Sequence, residues 1–176
     1  KYSIPFIGME PAIKPAAELT RSGVIGVMAT PGTISGEKFG ELHSRFSRDT
    51  RIISQPCPGL AREIETGNLK SIRLRKLLMR FIRPLVDQQA DTIVLGCTHY
   101  PFIKPLIQEL TGPDVTIIDS GEAVARQLRR RLQETGLLND MEKAGYEKFW
   151  CSNRSTSCAS SVALLTGVSD IRELPL

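Results

Sequence analysis

Histidine is scarce in this sequence, which contains only His43 and His99. Its four cysteines, Cys57, Cys97, Cys151 and Cys158, show no paired CxxC spacing. Both shortages argue against a structural zinc site, which needs a full set of thiolate and imidazole ligands. The cysteines do not read as a disulfide framework either, since the chain is long enough to bury a core of its own. No apolar run approaches the roughly 20 residues needed to cross a bilayer. No charged-then-apolar leader ends in a small-residue cleavage site. The expectation is a cytoplasmic protein with no membrane partner. The turn-rich loop 30–36 has too few glycines for a dinucleotide fingerprint and no lysine for a phosphate-binding loop. Nothing in the sequence asks for a cofactor or a metal. Excess charge is modest as well, at +4 with a pI near 9.0. Most of it falls on two amphipathic helical stretches, 69–88 and 122–135, which read as solvated faces and not as a nucleic-acid footprint.

What is present is ordinary for a globular protein: 41% hydrophobic and 24% charged residues. The 176 residues suffice for one domain, or a domain and a half. Apolar, β-branched runs alternate with runs of helical period. Strands are expected at 4–9, 23–30, 51–54, 92–95, 115–118 and 146–151. Helices are expected at 12–19, 37–46, 59–65, 69–88, 102–110, 122–135 and 157–165. Pro84 should kink or restart the longest of these. In 122–135, Val124, Leu128 and Leu132 share the side expected to face inward. His43 has charged neighbours and is read as a surface residue without a role. The alternation predicts an α/β fold with a parallel sheet covered by helices on both faces. A soft boundary falls near 119–121, after which the chain looks less like core and more like an attachment.

The chemistry concentrates in residues 92–102. Thr92 to Leu95 make a short run suited to a strand buried on both faces. Gly96 frees the backbone to turn, and Pro101 suits the first turn of a helix. Cys97, Thr98 and His99 are thereby placed between the carboxyl end of a strand and a helix amino terminus, where open α/β sheets bind their ligands. Free N–H groups there stabilise a thiolate or a bound carboxylate. His99 is positioned to give or take a proton, and Thr98 offers a hydroxyl to an anion. On the residues alone, a reactive thiol and a small buried side chain filling space both remain open.

Gly96-Cys97-Thr98-His99-Tyr100-Pro101 resembles the second cysteine signature of the cofactor-independent glutamate racemases, within the aspartate/glutamate racemase superfamily. The resemblance extends along most of the chain. Residues 4–12 resemble the segment that enters that family's second domain, and 25–33 its next strand and threonine-bearing loop. Cys57-Pro58 through Glu65-Thr66-Gly67 resembles the stretch whose glutamate assists the acid/base pair. Residues 115–121 resemble the strand leading back to the first domain. The family's amino-terminal third, with its Asp-Ser-Gly loop and the Cys-Asn-Thr motif of its first catalytic cysteine, has no counterpart here. Asp119-Ser120-Gly121 spells the same letters at the return strand, so that role is not transferred.

The resemblance implies a racemase-like α/β domain over residues 1–119 and, over 120–176, a return segment of an incomplete first domain. It implies interconversion of L- and D-glutamate without a cofactor by a two-thiol, two-base mechanism, supplying D-glutamate for peptidoglycan. Cys97, His99 and Glu65 would be catalytic, with Thr98, His99, Thr30 and Thr33 binding the substrate. A homodimer is a further implication, and the chain as given would be an inactive partial form. The rival readings are another racemase of the superfamily (for aspartate or a hydantoin), a thiol-dependent hydrolase with Cys97 as nucleophile and His99 as base, and a non-catalytic basic module that would bind nucleic acid with a steep salt dependence.

Overall fold

The computed structural model describes residues 4, 6–139, 145–151, 156–168 and 170–174. Four parallel strands form its sheet: β1 (Val24–Ala29), β2 (Arg51–Pro56), β3 (Thr92–Gly96) and β4 (Thr116–Asp119), in the order β2-β1-β3-β4. Ile25 sits between Ile52 and Thr92, and Leu95 beside Asp119. Parallel strands require crossovers, and here the connections are helical. They are α1 (Ile13–Leu19), which leads into β1, α2 (Pro31–Ile34) and α3 (Glu37–Phe46) between β1 and β2, α4 (Leu60–Glu65) and α5 (Ile72–Val86) between β2 and β3, and α6 (Lys104–Thr111) between β3 and β4.

Alternation along each strand feeds two cores. Ile25, Val27 and Val94 point to one face, where Ile13, Ala16, Phe39 and Leu42 of α1 and α3 close over them. Met28, Ile93, Leu95 and Ile117 point to the other, beneath α4, α5 and α6. On that side Leu74, Leu78, Phe81, Ile82 and Leu85 of α5 are buried. Each such side chain contributes roughly 1.5–3 kcal/mol relative to exposure. Gly26 lets α5 approach: a β-carbon there would stand 2.8 Å from Leu85 Cδ1.

The expected helices and sheet strands are found within a few residues of their predicted ends, with these differences. Residues 6–12 form no strand; an extended apolar run pairs only where a sheet edge receives it, and neither β2 nor β4 does so. Loop 30–36 contains α2, capped by Thr30, whose Oγ1 accepts from the Thr33 N–H. The α5 helix runs through Pro84 without restarting and stops at Val86, so the proline sits within its last turn. The helix α7 (Gly121–Glu134) has no fully buried residue, and Leu128 is 44% exposed. Its period does place Val124, Leu128 and Leu132 together, but amphipathicity marks a face without supplying what covers it. Beyond it, β5 (Phe149–Cys151) and β6 (Ile171–Glu173) form a separate two-stranded parallel sheet around α8 (Thr156–Thr166); β6 had no counterpart in the sequence reading. Cys57 and Cys97 are free thiols, whereas Cys151 is disulfide-bonded, where the cysteines were not read as a disulfide framework. Among the described residues no helix is long and apolar enough to cross a membrane.

At the amino ends of the strands, Asp91 ties the sheet together. Its carboxylate accepts from Thr20 Oγ1 at 2.5 Å, from the Arg21 and Ser22 N–H groups at 2.7 Å each, and from Thr92 Oγ1 at 3.1 Å. Burial works to raise its pKa, but the Thr20 hydroxyl and the other donors outweigh it and hold the carboxyl below its ordinary value. A depressed carboxyl stabilises the fold above the unfolded-state value of about 3.9, and that contribution is lost as pH falls through the folded value. Asp91→Asn is expected to cost roughly 1–3 kcal/mol at pH 7. In thermal unfolding followed by circular dichroism, the gap between variant and parent should narrow below pH 4.

Candidate active site

The carboxyl ends of β1 and β3 lie side by side, and the chain leaves them in opposite directions. After β1 it goes through α2 and α3 to one face; after β3 it goes through α6 to the other. Such a parting point opens a crevice at the sheet's carboxyl edge. Here it is a cavity of about 450 Å³ whose wall includes Cys97, Thr98, Thr33, Glu10, Asp119 and Ser120.

Cys97 directly follows β3, in a bend that Tyr100 N–H closes onto the Cys97 carbonyl at 3.1 Å. The turn after it is a single 3₁₀ turn, Tyr100–Ile103 with Pro101 at its start, and α6 begins only at Lys104. The α-helical amino terminus expected beside Cys97 therefore lies farther along the chain. What stands beside the thiol is His99, with Nδ1 3.8 Å from Sγ. The other ring nitrogen, Nε2, lies 3.0 Å from Glu65 Oε1. Glu65 is the last residue of α4, so two crossover connections meet at this imidazole.

The geometry sets the tautomer. A carboxylate only accepts hydrogen bonds, so Nε2 carries the proton toward Glu65. In the neutral ring Nδ1 then presents its lone pair to Cys97, ready to take the thiol proton. The imidazolium so formed keeps its Nε2–H on the carboxylate. His99 and Glu65 side chains are 32% and 48% exposed, so the pair contributes little to stability and acts by orientation.

The other free thiol among the described residues lies in the core. Cys57 is 2% exposed, and its Sγ donates to the Gln55 carbonyl at 3.4 Å. Burial pushes its pKa up to about 12, against the smaller opposing effect of its hydrogen bonds. Tyr100, fully buried in the same core, is likewise pushed up, first by burial and then by the neighbouring thiols. Its hydroxyl meets no partner within hydrogen-bond geometry among the described residues.

The remaining predicted residues divide. Thr98 and Thr33 are in the cavity wall; Thr30 is not among its lining residues, and its Oγ1 holds Thr33 Oγ1 at 2.9 Å behind that wall. Thr30 is thus a cap and a support. Glu65 reaches His99 but does not line the Cys97 cavity. His43 packs near Phe39 on α3 and takes no part in the site. The sequence reading missed Glu10, and it assigned no role to Asp119 and Ser120. Asp119 accepts from the Gly121 N–H at 3.0 Å and lies 3.4 Å from Lys104 Nζ. Its place at a strand's carboxyl end was the signal available. Among the described residues no cluster of side chains has the makings of a metal site.

Residues 1–128 match the Asp/Glu/Hydantoin racemase family. The chain is similar to a glutamate racemase of Pseudomonas syringae pv. tomato, 57% identical over 134 residues, covering 76% of this chain and 49% of the relative. It is similar to one of Pseudomonas entomophila, 50% identical over 173 residues, covering 98% of this chain and 65% of the relative. The fold is similar to that of Escherichia coli glutamate racemase, solved in complex with L-glutamate and the activator UDP-MurNAc-ala. That match has a TM-score of 0.83 and 27% identity, over 99% of this chain and 66% of that one. The chain thus spans about half to two-thirds of the length of these relatives.

The contrast between Cys97 and Cys57 is directly measurable. In the folded chain iodoacetamide should label Cys97 and leave Cys57 unmodified, as read by mass spectrometry of the two peptides. Both should react once the chain is unfolded in guanidinium.

Proposed function

The chain belongs to the Asp/Glu/Hydantoin racemase family, and on that footing we propose that it provides one of the two acid/base thiols of a glutamate racemase. Inverting an α-carbon without a cofactor requires a base on one face of the substrate and an acid on the other. Cys97 serves one face. As thiolate it removes the α-proton, with its own proton already lodged on His99 Nδ1. As thiol it returns a proton to the planar carbanion. Glu65 holds His99 in the tautomer that each direction needs. The observation carrying this reading is the chain of contacts from Glu65 through His99 to Cys97, ending at a cavity wall.

Thr98 and Thr33, in that wall, would donate to the substrate carboxylate, with Thr30 keeping Thr33 in place. Positioned donors and exclusion of water are what make so weak a carbon acid react. The second thiol, acting on the opposite face, is assigned to the family's amino-terminal Cys-Asn-Thr motif, for which these 176 residues have no counterpart. In this reading residues 1–119 form one racemase domain and 120–176 return to the other. Location in the cytoplasm, assembly as a homodimer and supply of D-glutamate to peptidoglycan rest on the family resemblance alone.

The test uses the chain both alone and completed with the amino-terminal part of its Pseudomonas syringae relative. Alone, it should not invert D- or L-glutamate. Completed, it should racemise both, followed by circular dichroism of the amino acid. Cys97→Ala should then abolish inversion, and Glu65→Gln should slow it by about 10²-fold through loss of the imidazole's orientation. Undiminished turnover in Cys97→Ala would overturn the assignment. A burst of covalent acyl-enzyme with an ester substrate would favour a hydrolase instead.

A further inference from the structure

His99 touches Cys97 but lines a different cavity, also of about 450 Å³, where Arg62, Glu65, Thr66 and His99 meet Ser161, Val162 and Leu165 of α8. The helix α8 comes from the far end of the chain and packs on α4, the helix that ends in Glu65.

Three contacts define this docking. Ser161 Oγ donates to the Glu65 backbone carbonyl at 2.7 Å. That carbonyl belongs to the last turn of α4, where no further turn supplies an amide donor, so the serine satisfies an acceptor the helix leaves over. Leu164 lies over Gly67 so closely that a β-carbon there would stand 1.4 Å from Leu164 Cδ2. Gly67 has φ of +76°, in the left-handed region where glycine alone is unstrained, and it ends the turn that follows α4. Leu165, next along α8, packs against the larger core cluster. A hydrogen bond and a close approach that only glycine permits thus converge within two residues of Glu65, with an apolar anchor beside them on α8.

We propose that α8 is a brace for the Glu65–His99 contact, with Ser161 as its positioning residue. Holding the Glu65 backbone from outside fixes where the carboxylate meets Nε2. That in turn fixes the ring whose Nδ1 faces Cys97. The side chains concerned are partly exposed, and a carboxylate on a helix end has many rotamers of similar energy. Without a fixed backbone the 3.0 Å contact would be one arrangement among several. The catalytic consequence rests on the racemase reading; the brace itself does not.

The test exploits the scarcity of histidine. With only His43 and His99, the two imidazole Cε1–Hε1 cross-peaks of the 176-residue chain are separable by NMR. Ser161→Ala should move the His99 peak toward its position in Glu65→Gln while leaving His43 in place. Ser161→Thr, which keeps the hydroxyl, should restore it. Gly67→Ala, which displaces Leu164, should move the same peak in the same direction. In the completed enzyme, Ser161→Ala should lower kcat roughly tenfold with KM little changed, since reacting groups and not substrate donors are misplaced. A folded Ser161→Ala and a folded Gly67→Ala that both leave the His99 peak where it was would overturn the brace. If the peak moves as expected but Glu65→Gln racemises at the parent rate, the brace stands and the acid/base role of Glu65 falls.

Discussion

The geometry of the candidate site depends on one contact, between a carboxylate at the end of α4 and the imidazole in the turn after β3. It is too exposed to stabilise the fold by more than about 1 kcal/mol, so its effect is informational. With the Glu65 carboxylate accepting from Nε2, the neutral ring turns a lone pair, and not an N–H, toward Cys97. Remove that contact and a cysteine, a histidine and a cavity remain without a direction for proton transfer. Cys57 and Cys97 differ in their surroundings. Cys57 is buried, and its Sγ donates to the Gln55 carbonyl. Cys97 has a ring beside it and a cavity before it.

The sheet makes the contact possible. Its order brings the ends of β1 and β3 together while sending their following helices to opposite faces. Two well-filled cores hold those ends rigidly, because the strands are packed from both sides and α5 is seated on Gly26. Reactive groups in loops gain their precision from this support. Thr33 arrives from the β1 side and Thr98 from the β3 side, so the cavity wall is assembled across the parting point.

Much of the fold was legible because its signals are local. Val24–Ala29 and Thr92–Gly96 are buried on both faces and read as short apolar runs, and α3 was found at Glu37–Phe46 from its period. The Cys97-Thr98-His99 turn was legible from Gly96 before it and Pro101 after it. What the sequence did not reveal depends on partners distant along the chain. No pattern tells that residues 9–11 line a cavity without joining the sheet, or that Leu128 is 44% exposed. Thr30 was read as a donor from a turn-rich loop; that the loop holds a short helix, α2, with Thr30 as its cap was not legible. The contact of Glu65 with His99 has no local mark in the sequence, and Glu65 was singled out by family resemblance alone. Asp119 was recognisable by position yet set aside, since its three-letter echo belonged to another loop of the family. The link from Ser161 to Glu65 spans 96 residues and has no sequence signature.

A single-face role for Cys97 makes the sharpest claim. The decisive measurement is the exchange of the α-proton of D- and L-glutamate in deuterated water, by NMR, with the completed protein and its Cys97→Ala variant. The account predicts that the parent exchanges both enantiomers. It predicts that the variant loses exchange for the one whose α-hydrogen faces Cys97 and keeps it for the other. Unaltered exchange of both enantiomers in the variant would contradict the account at its centre.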